Sequence, residues 1–259
     1  MSERGAKRPA TRGGGRQTAT TVERRRAIPT PSGCVVELPV TFNVLGPESE
    51  TMSERLRTGI DILDRKLDGG IPPGSIVALS AQPASQAELF LYELTATRGT
   101  LYVSLDRTGE FVSQSIENAE TRTGDPTVRD VPGEAPLDNA AKFVSALPDD
   151  SNLIVDPVDV LERQEPSRYR NFLNELQNHI YNTGSLALLH CLDGTSVPAL
   201  RDTTEHMADI VFQLDTAIKG DRIENHLAVP KFRGGQALAD VIKLELSDEV
   251  DIDTSRDIA

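Results

Sequence analysis

From Arg57 onward, short apolar runs alternate with amphipathic stretches. Ser75–Ser80 (SIVALS) is a continuous apolar run of strand length, the pattern of a strand buried on both faces. Ala87–Thr97 carries Leu89, Phe90 and Leu94 at helical spacing, Leu101–Leu105 reads as a strand, and Glu110–Arg122 reads as a helix. Leu153–Val155 is a further short buried strand. Pro166–Tyr181 sets Tyr169, Phe172, Leu173, Leu176 and Ile180 on one face, with proline at the start, and predicts an amphipathic helix. Leu186–Leu192 is a strand and Val197–Met207 a helix. The pattern then turns strand-rich, at Ile210–Leu214, Asn225–Phe232 and Val241–Leu246, with Lys219-Gly220-Asp221 as a turn between the first two. Strands alternating with helices predict an α/β domain: a mostly parallel sheet covered on both faces, with antiparallel strands at its C-terminal end.

The first 51 residues do not fit this pattern. They are rich in Arg, Gly, Thr and Pro, lack apolar periodicity, and are expected to be a disordered basic extension to a core of residues 52–259. Val35–Leu45 alone has strand character. Two readings of the segment stand. Its arginine clusters suit an arm that touches nucleic acid. Alternatively, Met52-Ser53-Glu54-Arg55 repeats Met1-Ser2-Glu3-Arg4 just before the domain pattern begins, as a start placed too far upstream would explain.

Charge separates the same two parts. The whole chain has 27 Lys+Arg against 40 Asp+Glu and a formal charge of -13. Residues 1–51 hold 8 basic and 5 acidic residues, which leaves 19 against 35 for the remainder, a net of -16. Arginine outnumbers lysine 21 to 6. Many carboxylates with few lysines suit a salt-rich cytoplasm, where repulsion is screened over a few ångströms; an ordinary acidic cytoplasmic protein is the alternative. No apolar run reaches the roughly 20 residues of a membrane span, and no secretory apolar region is visible at the N-terminus. Cys34 and Cys191 make neither a disulfide framework nor a zinc site by themselves.

The most specific stretch is Thr58–Ser75, TGIDILDRKLDGGIPPGS. Thr58-Gly59, Asp61, Leu63-Asp64, Leu67, Gly69-Gly70-Ile71 and Gly74 together resemble the opening of the RecA-like ATPase core of the archaeal KaiC/RadA group. The likeness extends to about Asp251. It implies a RecA-like three-layer α/β/α fold with a mostly parallel sheet and C-terminal antiparallel strands. In that family the first core strand ends in a phosphate-binding loop, G-x-x-x-x-G-K-S/T, whose backbone cradles phosphates while its Lys neutralises them and its hydroxyl binds magnesium. The corresponding residues here are Ala81, Gln82, Pro83, Ala84, Ser85, Gln86, Ala87 and Glu88. Ala81 and Gln86 stand in place of the glycines, Ala87 in place of the lysine, and Glu88 in place of the hydroxyl. Glu88 suits the first turn of a helix but repels a triphosphate. The loop is therefore read as vestigial.

The resemblance also places Asp156 where the family's magnesium-holding Asp stands, and Asp106 where relatives carry the Glu that activates water. A polar residue closing a strand accounts equally for Asp156, and a cap on the helix that starts near Thr108 for Asp106. His190 sits where relatives sense the γ-phosphate, or is a satisfied core histidine. Lys231-Phe232-Arg233-Gly234-Gly235 resembles the K-x-R-G element that reaches a neighbouring subunit's nucleotide; the other reading is a basic turn facing the surplus carboxylates.

Two functions follow. One is a non-catalytic RecA/KaiC-like protein, with no cofactor, that regulates an active relative or a recombination or transcription complex through protein contacts or self-association. Glu88, Lys231 and Arg233 are its interface candidates. The other is an ATPase using ATP and magnesium, with a site completed in trans by Lys231 and Arg233 of a partner. Nucleic-acid binding is implied by the resemblance alone, and the acidic core shows no basic patch for it. No membrane association is expected.

Overall fold

The computed structural model of the chain describes residues 21–29, 35–43, 55–131, 133–236, 238–246 and 250–252. The chain divides into two units, Met1–Met52 and Ser53–Ala259. In the first, β1 (Thr21–Pro29) pairs antiparallel with β2 (Val35–Asn43), in register from Thr21↔Asn43 to Pro29↔Val35. The strand character of Val35–Leu45 is realised over Val35–Asn43. Its partner is hidden in the sequence by the polar run Arg24-Arg25-Arg26. The rest of the basic extension lies outside the described residues.

The second unit runs α1 (Asp61–Lys66), β3 (Ser75–Ala81), α2 (Glu88–Thr95), β4 (Thr100–Ser104), α3 (Gly109–Glu117), β5 (Thr127–Asp130), α4 (Pro136–Ser145) and β6 (Asn152–Asp156). It continues with α5 (Asp159–Glu162), α6 (Pro166–Thr183), β7 (Leu186–Leu192), α7 (Arg201–Met207), β8 (Ile210–Lys219), β9 (Arg222–Phe232), β10 (Ile242–Leu246) and β11 (Val250–Ile252). The sheet order is β11-β10-β9-β8-β3-β7-β6-β4-β5. All pairs from β8 through β5 are parallel, and β8-β9, β9-β10 and β10-β11 are antiparallel. The expected three-layer architecture, parallel with a C-terminal antiparallel extension, is the one observed.

Strand periodicity divides the core between the two faces. Val77, Leu79 and Ala81 of β3 pack with Leu91 and Leu94 of α2, while Ile76 and Ala78 pack with Leu173, Leu176 and Ile180 of α6. Helix α6 shows how the sequence fixes an element. Glu165 accepts the Ser167 and Arg168 amides, Pro166 takes the first helical position, and Gly184 closes the helix with φ 63°.

The Thr58–Ser75 signature is architectural. Gly59 has φ +95°, and a Cβ there would lie 2.4 Å from the Glu93 carbonyl oxygen; Gly70 has φ +125°, and its Cβ would lie 2.3 Å from the Leu56 oxygen. Only glycine lets the chain approach that closely. Asp64 Oδ1 accepts from both the amide and the hydroxyl of Thr58 at 2.8 Å, which locks the start of the segment to α1. Leu63, Leu67 and Ile71 are buried in the core beside α2.

Helices α1, α4 and α5 and strands β5 and β11 go beyond the elements read from the sequence. Helix α4 turns only Leu137, Ala140 and Val144 inward after its proline, and its polar face hides the period. Strands β8 and β9 run on past the expected limits into a hairpin. Its tip leaves Ile218 80 % and Ile223 68 % exposed.

Candidate functional site

Parallel register builds the site at the carboxyl ends of three adjacent strands. Ser104 of β4 lies opposite Asp156 of β6, while Val155 of β6 pairs with Leu189 of β7, one residue before His190. Because side chains alternate, Tyr102, Asp156 and His190 project to the face covered by α2. Asp156 is 3 % exposed and is held from three sides. The Tyr102 hydroxyl donates to Oδ2 at 2.6 Å, His190 Nδ1 lies 2.6 Å from Oδ1, and Arg107 Nη2 donates to Oδ2 at 2.6 Å. An ionised Asp156 only accepts, so His190 donates from Nδ1; its buried Nε2 has no hydrogen-bond partner among the described residues. Burial pushes the Asp156 carboxyl up, but His190, Tyr102 and Arg107 outweigh it and hold the group at about 2.

Arg107 is the residue that organises the site, and sequence reasoning missed it. The turn after β4 is fixed by Ser104, whose hydroxyl donates to the Arg107 carbonyl at 2.8 Å and accepts the Arg107 amide at 3.3 Å. The guanidinium then spans two carboxylates, with Nη1 donating to Glu88 Oε1 at 2.7 Å and Nη2 to Asp156. Burial opposes its charge, yet Asp156 and Glu88 hold it protonated, above its ordinary value. The Tyr92 hydroxyl, one turn along α2, donates to Glu88 Oε2 at 3.4 Å, and burial together with Glu88 pushes that phenol up to about 12.

The loop from Ala81 to Glu88 closes on itself. The Ser85 hydroxyl and amide donate to the Gln82 carbonyl at 2.6 and 3.0 Å, the Ala87 amide reaches the Ser85 hydroxyl at 3.4 Å, and Gln82 Nε2 donates to Asp215 at 3.5 Å. Ala81 and Ala87 are buried; Pro83, Ala84 and Gln86 form the exposed tip. Ala84, Ser85 and Gln86 share a cavity of about 540 Å³ with Ile223 and Leu244 of the antiparallel strands.

Glu88 and Asp156 are thus brought together, through Arg107. Asp106 is exposed beside them, and burial, followed by the charges of Asp156 and Asp159, raises its carboxyl. It does not cap α3, since the Thr108 hydroxyl accepts the Phe111 amide there. Lys231 and Arg233 lie at the opposite, amino edge of the sheet, where Lys231 pairs with Val211. Lys231 Nζ donates to the Glu205 and His206 carbonyls, both at 2.7 Å, closing the C-terminal end of α7. Arg233 Nη1 bonds Asp209 Oδ1 at 2.9 Å. A second buried ionic cluster lies next to the site: Arg201 donates to Glu162 and to the Leu192 carbonyl, with Asp159 Oδ1 2.9 Å from its Nη2. Burial pushes the adjacent Cys191 thiol up, so it behaves as a small apolar residue. Among the described residues, no group of three or more His, Cys, Asp or Glu is placed to hold a metal ion, and no helix is long and apolar enough to cross a membrane.

Residues 55–259 match the family of unknown function DUF7125. The chain belongs to this family. The solved structure of a KaiC-like protein from the hyperthermophilic archaeon Pyrococcus horikoshii is similar to it, with a TM-score of 0.61 at 16 % identity, over 76 % of this chain and 98 % of that one. This DUF7125 member therefore has a KaiC-like, RecA-type fold. No curated protein matches it in sequence.

Proposed function

We propose that the chain is a non-catalytic RecA/KaiC-like protein in which an internal guanidinium has taken over the nucleotide place, and that it acts through protein contacts. The observation that carries this reading is Arg107, bonded at once to Glu88 and Asp156. In the resemblance those two positions belong to magnesium. An arginine cation there uses up both acids and cannot be shared with a metal of like sign. The loop has no lysine, and its Ser85 hydroxyl is turned onto the Gln82 carbonyl. These residues do not fit Mg-ATP.

The exposed loop tip and the β8–β9 hairpin support the contact reading. Ile218 and Ile223 pair across the strands, both largely in solvent, and Ile223 lines the cavity that the loop tip shares. An apolar pair of this kind, rimmed by Lys219 and Arg222, suits a protein partner. An active relative, or a recombination or transcription complex, is the proposed client. For the trans-completed ATPase, Lys231 and Arg233 would first have to release α7 and Asp209.

Calorimetry of the chain with Mg-ATP in concentrated KCl tests the proposal. No magnesium-dependent, stoichiometric binding is expected, and such binding would favour the ATPase instead. Sedimentation and pull-down of Ile218→Asp and Glu88→Arg variants test the contact surface. If both variants keep every association of the parent chain, the working surface lies elsewhere.

A further inference from the structure

A cavity of about 710 Å³ opens at the amino edge of the sheet, among Pro73 before β3, Arg98 before β4 and Asp150 before β6. It lies at the other end of the strands from Arg107 and Asp156. Arg55, Arg57, Arg98 and Arg122 line it, with Asp61, Asp64 and Asp150. Arg55 is committed, since it reaches the Gly70 carbonyl at 3.4 Å and stacks over the Phe232 ring at 5.5 Å. The Arg98 carbonyl accepts the Thr100 hydroxyl at 2.9 Å, but the guanidinium groups of Arg57, Arg98 and Arg122 make no hydrogen bond or ion pair with any described residue. After residue 51 acids outnumber bases 35 to 19, so partners for arginine abound. Three guanidiniums without a partner among the described residues, gathered around one concavity, depart from that expectation.

Two details give the cavity a chemistry. Arg98 is half-buried, and burial pulls its pKa down while Asp150 and Asp64 oppose the shift. A partly desolvated guanidinium without hydrogen bonds gains most from a planar or tetrahedral oxyanion that satisfies its fork. Asp64 is 7 % exposed; its Oδ1 is satisfied by Thr58, but its buried Oδ2 accepts from no described residue. A ligand that suits both therefore carries an anion for the arginines and a hydroxyl donor for Asp64.

We infer that this cavity is a binding site for a small phosphorylated, hydroxyl-bearing metabolite of the sugar-phosphate class. Its volume falls within the range of roughly 300–1,000 Å³ of small-ligand pockets. A nucleic-acid backbone would instead face the field of a domain with a net charge of -16. The inference is independent of the protein-contact reading, because the two sites occupy opposite edges of the sheet.

The test is calorimetry of the full chain with ribose 5-phosphate and with inorganic phosphate, at the lowest KCl concentration that keeps it folded. Ribose 5-phosphate is expected to bind one to one and more tightly than phosphate. Arg98→Gln and Arg57→Gln should each weaken it by at least about tenfold, the effect of losing a charged hydrogen bond. Both side chains reach solvent, so these variants are expected to fold, which a thermal melt checks. Arg107→Gln should leave the affinity in place. The inference is overturned if neither probe binds or if the two bind equally. It is also overturned if binding survives both arginine substitutions, or is lost on Arg107→Gln, which would put the ligand at the loop.

Discussion

The guanidinium of Arg107 lies 2.6 Å from Asp156 Oδ2, a carboxylate 3 % exposed to solvent. The same guanidinium holds Glu88, so one cation neutralises two acids on different secondary-structure elements. Asp156 would be costly to bury alone, and its two other partners do not supply a permanent positive charge. Arg107→Gln is therefore expected to destabilise the fold by about 1–3 kcal/mol, less than a fully buried pair because Glu88 and Arg107 keep contact with water. Denaturant unfolding at fixed KCl measures it. A variant as stable as the parent would reduce Arg107 to a surface contact.

Acid should act through the same residue. The folded-state pKa of Asp156 is depressed from 3.8 to about 2, so its contribution is complete above pH ~4 and is lost as pH falls toward about 2. The shift corresponds to roughly 2 kcal/mol. Other carboxylates titrate in the same window, so the comparison is between the parent and Asp156→Asn. The asparagine variant should be the less stable of the two near neutrality, and the gap should narrow on acidification. A gap that stays constant from pH 7 to pH 3 would show that ionised Asp156 contributes nothing.

The alternation of apolar runs was enough to place the central strands, because β3, β6 and β7 are buried on both faces and must be continuously apolar. Helix α4 escaped because three inward residues in ten leave a weak period. In the site, Glu88 and Asp156 were legible by position, through the resemblance. Arg107 was not, because it follows a strand whose pattern says nothing about where the next side chain reaches. The available hint was chemical: a lysine missing from the loop, and an arginine at the carboxyl end of the strand beside Asp156. Lys231 and Arg233 read as basic residues awaiting an acid. The carbonyls of α7 that satisfy Lys231 have no sequence signature, since helix ends attract cations through the backbone.

Salt should stabilise the second unit. Its 35 acids against 19 bases repel one another at low ionic strength, and arginines such as Arg107 and Arg201 are already spent in internal pairs. The melting temperature followed against KCl is expected to rise steadily into the molar range. Equal stability in dilute buffer and in molar KCl would contradict this and the salt-adapted reading of the composition.

Restoring the loop should fail until Arg107 is removed. Ala81→Gly, Gln86→Gly, Ala87→Lys and Glu88→Thr together recreate the phosphate-loop pattern. Yet Glu88→Thr also releases one arm of Arg107 and leaves the other on Asp156, where a magnesium ion would need an unoccupied carboxylate. A divalent ion within a few ångströms of a guanidinium meets a repulsion of several kcal/mol even at the dielectric of a protein surface. The four-fold variant is therefore expected to show at most weak, magnesium-independent ATP binding. Adding Arg107→Ser frees Asp156, and only then should calorimetry show magnesium strengthening the affinity. A melt of each variant separates lost binding from lost fold. If the four-fold variant with Arg107 intact binds Mg-ATP as tightly as the five-fold one, the guanidinium is not what closes the site, and the missing loop residues alone account for it.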